Sequence, residues 1–197
     1  YSQISIGKLI TARTTDELVE NLKETEYYAP LKKIKDTDNV TLYDYNLALD
    51  LYYYTSTWKE QKKILKKSDL ELFMRDRGSK IDLLNIQWIY RAKKYYNMKP
   101  ADIYLMLIPI HYKLSTELVK DMVEAPGVEE FENVVIRTTY ARHYNFKQNL
   151  TMEQMYADCL HHLYTADRRK NPYSVSAINT YLFLKEEELK KLTTVME

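Results

Sequence analysis

The sequence predicts an all-α fold made of two tandem, related helical-bundle domains, residues 1–112 and 113–197. Three observations predict it. Only 3 glycines and 5 prolines punctuate 197 residues, which suits long helices joined by short turns better than a sheet with many tight ones. Apolar residues recur at helical spacing, and no stretch sustains a period-two alternation. Three elements of the first half return, in the same order, in the second.

The elements follow from their start and stop signals. Thr14 and Glu17 form a capping box ahead of Leu18, Val19 and Leu22. Thr41, with Asp44 three residues on, opens a helix carrying Leu42, Tyr45, Leu49 and Tyr52 and expected to run to about Lys66. Ser68 is expected to break it before a shorter piece, 70–77. Gly78 would close that piece in a left-handed cap, and Ser79 with Asp82 would restart the chain. The segment IDLLNIQWIYRAKKYY is apolar on most of its circumference through Ile81, Leu83, Leu84, Ile86, Trp88 and Ile89. A helix of that kind belongs at the centre of the fold.

Pro100 takes a first helical position and Pro109 ends that helix. Ser115 caps a helix ending near Pro126 and Gly127, and another is expected from Val128 to about Thr138. Thr151 and Gln154 make a further capping box; behind it Met152, Met155, Tyr156, Cys159, Leu160 and Leu163 share one helical face. Asn171 and Pro172 break the chain, and a last helix runs from about Val175 through Ile178, Leu182, Leu189, Leu192 and Val195.

The repeat is collinear. DELVENLKETEYYAPL, from Asp16, lies over EEFENVVIRTTYARHY, from Glu129, at an offset of 113 that sets Thr25 on Thr138 and Tyr27 on Tyr140. ALDLYYYT lies over CLHHLYTA with Leu49 on Leu160, an offset of 111. IDLLNIQWIY, from Ile81, lies over EELKKLTTVM, from Glu187, at 106. A small drift is what loops of changed length leave between helices.

Composition narrows the function. Charge is balanced, 29 basic against 28 acidic residues, which argues against a surface built as a whole to grip nucleic acid or anionic lipid. The 19 tyrosines imply extensive half-buried packing between helices or against partners, since each buries a ring and keeps a polar tip. A lone cysteine, Cys159, forms no internal disulfide and fits a reducing compartment. No apolar run approaches the roughly 18 residues that span a bilayer; the longest, 103–110, is interrupted by Pro109. The chain opens at Tyr1 and stops at Glu197 inside a helical pattern, so both ends are expected to be cut from something longer.

No catalytic, cofactor or metal residues are expected. There is no G-x-x-x-x-G-K-[ST] or G-x-G-x-x-G loop to cradle a nucleotide phosphate. Cys159, His161 and His162 lack a second ligand pair at zinc spacing, so Cys159 is expected in the core. His111 and His143 stand apart from any nucleophile. Two polar constellations stay open. Asp82 is expected at its own helix's N-terminus and Arg91 and Lys93 near its C-terminus, with Asn85 tying down a neighbouring backbone group; an interface role is the alternative. Lys59, Lys62, Lys63, Lys66 and Lys67 follow Trp58 and several tyrosines. A solvated helix face comes first, a stripe facing an acidic partner or lipid headgroups second, and nucleic acid third.

These segments resemble a known family, the V-type and A-type ATPase component known as C in archaea and bacteria and as d in eukaryotes. IDLLNIQWIYRAKK is similar to the family's D-x-x-N-[IL]-x-x-[IL]-x-R-x-K segment, here Asp82, Asn85, Ile86, Ile89, Arg91 and Lys93. LIPIHYKLS is similar to its G-x-[LI] turn, although His111 and Tyr112 stand where glycines are usual. INTYLFLKEEELKKLTTVME resembles its terminal Y-x-x-x-K-E-x-E-[IL]-x-x-L helix, without the G-x-R-Y-G-like tail that normally follows.

The resemblance implies a funnel of three related helical domains, of which the second and third are here. It implies a non-catalytic subunit without cofactors, bound to the membrane rotor ring and the central-stalk subunits. That subunit passes torque during ATP-driven proton or sodium transport, or ATP synthesis. It also implies a cytoplasmic protein at the inner face of the plasma membrane, touching the membrane only through the complex and binding no nucleic acid. The alternative is a helical repeat scaffold for RNA or a protein partner; an enzyme ranks behind both.

Overall fold

Four local signals organise the first third of the chain in the computed structural model, which describes residues 4–35, 40–141, 151–170 and 173–196. Helix α1, Ile6–Thr11, is followed by α2, Thr15–Asn21, where the Glu17 amide donates to Thr14 Oγ1 at 3.1 Å and Glu17 Oε2 accepts the Arg13 amide at 2.9 Å. Helix α3 is Tyr28–Lys35. Ahead of α4, Leu42–Ile64, the Thr41 amide and hydroxyl both donate to Asp44 Oδ2, at 2.8 and 2.7 Å, and hold that carboxyl below its usual range. Such caps satisfy amides that the helix itself leaves unpaired and contribute about 1 kcal/mol each.

The chain falls into two compact units, Tyr1–Glu60 and Gln61–Glu197. The first closes over a small core of Val19, Leu22 and Leu31, with Leu9, Tyr27, Tyr28, Tyr45 and Leu49 packed against it. Tyr52 stands edge-on to Tyr27, ring centroids 6.0 Å apart, and its hydroxyl donates to Glu26 at 3.0 Å. The division expected at 112/113 concerns relatedness between sequence segments, whereas this boundary concerns compactness.

The second unit is organised by α5, Lys67–Lys94. Around it lie α6, Pro100–Met106; α7, Thr116–Glu124; α8, Val128–Val135; α9, Met152–Lys170; and α10, Val175–Met196. No strand occurs among the described residues. Leu83, Ile86, Ile89 and Tyr90 of α5 enter one core with Ile103, Val119, Met122, Phe131, Val135, Met155, Leu160 and Phe183. Burying a side chain of this size contributes about 1.5–3 kcal/mol, so the central position expected for the apolar segment is where the second unit's cohesion is concentrated. Ser115 accepts the Leu118 amide at 3.2 Å, and Thr151 and Gln154 exchange both bonds of their box at 2.9 and 3.2 Å.

Three boundaries differ from expectation. The break after α4 falls at residues 65–66, and Ser68 lies inside the first turn of α5. Gly78 does not cap a helix: α5 runs through it, and no described glycine has a positive φ. Ser79 and Asp82 therefore restart nothing and lie buried in mid-helix. Helix α8 stops at Val135 instead of Thr138, whose hydroxyl turns back to the Val135 carbonyl at 2.7 Å. The break expected at Asn171 and Pro172 lies outside the described residues, as does His143.

Candidate functional site

The polar residues of the α5 motif face the segment that joins α6 to α7. Asp82 is fully buried, and a carboxylate so placed needs donors on both oxygens. Oδ1 accepts the Tyr112 amide at 3.0 Å. Oδ2 accepts the Lys113 amide at 2.7 Å, the Leu114 amide at 3.2 Å and the Tyr140 hydroxyl at 2.7 Å. Burial pushes the Asp82 carboxyl above its usual range, and these four donors pull it only partly back. The Tyr140 hydroxyl is raised as well, by burial first and by the neighbouring carboxylate second. Asp82 thus serves the turn leading into α7, not the N-terminus of its own helix.

One turn further along, Asn85 grips a single residue at both ends. Its Nδ2 donates to the Ile108 carbonyl at 3.0 Å, and its Oδ1 accepts the Ile108 amide at 2.9 Å. Lys93 reaches the other end of α7, donating to the carbonyls of Val123 and Ala125 at 2.7 and 2.6 Å; burial lowers its pKa. Two carbonyls at a helix C-terminus are a favourable seat for a cation, but the helix is α7 and not α5. Arg91 is exposed. Gly78 lets the segment come close: a Cβ there would stand 2.6 Å from Cγ of Tyr112. The glycine is needed for that approach, not for its backbone freedom, and a mid-helix glycine costs about 1 kcal/mol against alanine.

So Asp82, Asn85 and Lys93 converge on the backbone of 108–125, while Arg91 does not. Tyr140 and Gly78 complete the site without a motif to announce them; the one sequence signal for Tyr140 is its place in the repeat opposite Tyr27. Lys59, Lys62, Lys63, Lys66 and Lys67 are all exposed. A cavity of about 150 Å³ is lined by Ser79, Leu83, Lys113, Tyr140, Cys159, His162 and Leu163. Cys159 is buried there, on the apolar face of α9. Among the described residues no three potential ligands gather to hold a metal ion, and no helix is long and apolar enough to cross a membrane.

Buried polar side chains spent on positioning the chain's own backbone define a helical scaffold. The chain belongs to the ATP synthase (C/AC39) subunit family, whose model matches residues 1–197. It is similar to the C subunit of the A-type ATP synthase of Methanosarcina mazei, 31% identical over 71% of this chain and 37% of that protein. To the C subunit of the A-type enzyme of Methanobrevibacter smithii it is 26% identical over 96% of this chain and 52% of that protein. The corresponding protein of Methanosarcina barkeri is 28% identical over 71% of this chain and 37% of its own length. The chain therefore spans about half the length, or less, of these relatives. No solved structure matches it significantly.

Proposed function

We propose that the chain is part of a non-catalytic coupling subunit of a V/A-type rotary ATPase, linking the membrane rotor ring to the central stalk. Torque passes through such a part during ATP-driven proton or sodium transport, or during ATP synthesis, so it must resist shear more than it must react. The observation that carries this reading is the set of anchors from α5. Asp82, Asn85 and Lys93 tie one helix to the segment that leads into α7 and to the C-terminal end of α7. Charge-assisted and reciprocal hydrogen bonds of this kind stiffen a packed unit.

On this reading Lys59, Lys62, Lys63, Lys66 and Lys67 form a stripe for an acidic partner surface, and residues 1–112 and 113–197 are two of the family's related domains. The protein works at the inner face of the plasma membrane and meets it only through the complex. Titration of the chain against the cognate central-stalk complex tests this, at low and high salt. Binding should weaken with salt and weaken further when the five lysines become glutamine. No stalk binding at either salt, together with tight RNA binding, would replace the proposal by an RNA-binding scaffold.

A further inference from the structure

Side chains in a packed unit leave few spaces larger than a water molecule, and the cavity of about 150 Å³ in the second unit is an exception. Four stretches of chain share its wall. Ser79 and Leu83 come from α5, Lys113 from the segment before α7, Tyr140 from the turn beyond α8, and Cys159, His162 and Leu163 from α9. Ser79 and Leu83 stand one helical turn apart, as do Cys159 and Leu163, so each helix gives the cavity one face. Lys113 and His162 are exposed, whereas Ser79, Leu83, Tyr140 and Cys159 are buried. The cavity therefore runs from a basic mouth at the surface to a closed inner end in the core.

At the inner end the protons all run one way. Tyr140 gives its proton to Asp82 Oδ2 at 2.7 Å. Burial and then the carboxylate raise the Tyr140 pKa, and the Ser79 hydroxyl is what opposes them, as a donor to the phenol oxygen does. A serine whose proton is committed to Tyr140 has only lone pairs left for the cavity. Ser79 is 3% exposed, and no group among the described residues donates to its oxygen. The inner end thus accepts hydrogen bonds and offers none, with the Asp82 carboxylate behind it.

The middle and the mouth differ. Leu83 and Leu163 line the cavity with apolar surface, and the small side chain of Cys159 leaves room between them. At the mouth the Lys113 ammonium lies 5.5 Å from the centre of the Tyr112 ring, and no carboxylate among the described residues pairs with it. A cation–π contact at an exposed site is weak, so that charge is available to an anion, with the His162 imidazole beside it.

We infer that the cavity binds a small aromatic acid with a hydroxyl opposite its carboxylate: the hydroxyl donates to Ser79, the ring lies between Leu83 and Leu163, and the carboxylate meets Lys113 and His162. A cavity of this volume takes one benzene-sized ring. A neutral hydroxyl suits the inner end better than an ammonium, because it loses less on leaving water. The carboxylate stays at the mouth, where solvent still reaches it. Such a ligand touches all four stretches of the wall and braces α5 against α9. The inference rests on the cavity and not on the coupling role.

The test titrates 4-hydroxybenzoate, benzoate and phenol into the 197-residue chain by calorimetry. 4-Hydroxybenzoate should bind with a Kd below about 1 mM, about tenfold tighter than either of the others, each of which lacks one polar end. Ser79→Ala should reduce its affinity to that of benzoate, and Lys113→Gln to that of phenol. Leu163→Phe, which puts a ring of the chain's own into the space, should abolish binding of all three. Circular dichroism confirms that each variant keeps its helices, and the three ligands on the parent chain decide the matter even where a variant does not. No binding up to about 10 mM, equal affinity for all three ligands, or binding that survives Leu163→Phe overturns the proposal.

Discussion

In the turn after α2 the Thr25 hydroxyl donates to the Leu22 carbonyl at 2.7 Å, and in the turn after α8 the Thr138 hydroxyl donates to the Val135 carbonyl, also at 2.7 Å. The backbone amides of the two threonines repeat the bond at 2.8 and 2.9 Å. Two residues on, the paths part. Tyr27 lies half-buried against the small core of the first unit, edge-on to Tyr52. Tyr140 is buried and sends its hydroxyl to Asp82. A shared local sequence produces a shared turn, whereas the work of the tyrosine that follows is set by what stands opposite it. The first unit offers rings, and the second offers a buried carboxylate.

The comparison breaks hardest at Asp82. Asp82→Ala leaves three amides and a phenol without their acceptor inside a core, and should destabilise the second unit by about 3–5 kcal/mol. Urea unfolding followed by tyrosine fluorescence measures it; a loss below about 1 kcal/mol would mean that water replaces the carboxylate and the anchor is dispensable. The paired tyrosines give a finer contrast. Tyr140→Phe removes a hydrogen bond to a carboxylate and should cost about 1.5–3 kcal/mol, against about 0.5 kcal/mol or less for Tyr27→Phe. Equal losses in the two variants would show that ring packing, and not the Asp82 bond, is what Tyr140 contributes.

The smallest expected effect is on pH. The folded value of Asp82 lies above its ordinary 3.8, so the folded state holds that proton more tightly than the unfolded chain does. The stability this group contributes is present below 3.8 and declines as pH rises through the raised folded value. The urea midpoint of the parent should therefore fall between about pH 4 and pH 7 relative to Asp82→Asn, which has no proton to lose. A parent midpoint that rises over that interval relative to the variant reverses the sign and would mean that the four donors outweigh burial.

Residues close in sequence make much of this fold legible. The boxes at Thr14, Thr41 and Thr151, the cap at Ser115, Pro100 at the start of α6 and the apolar face of α9 all act over three or four positions. Their partners are therefore written beside them. The polar motif of the site is legible only as residues: Asp82, Asn85 and Lys93 stand out, but their partners lie 23 to 58 positions away.

Gly78 misleads for the same reason. A glycine followed by a serine has the local form of a helix stop, and only the Tyr112 ring, packed across from it, explains why α5 continues through a residue that cannot carry a side chain there. By itself, then, the sequence determined the all-helical class, most of the helix starts and the family resemblance, because these depend on periodicity and on short-range hydrogen bonds. The tertiary structure alone decided which carboxylate is buried, which backbone it holds, and that Leu83 is covered while Leu189 is bare. Those outcomes depend on which surfaces meet, and apolar residues at similar helical spacing have different fates when only one set faces a neighbour.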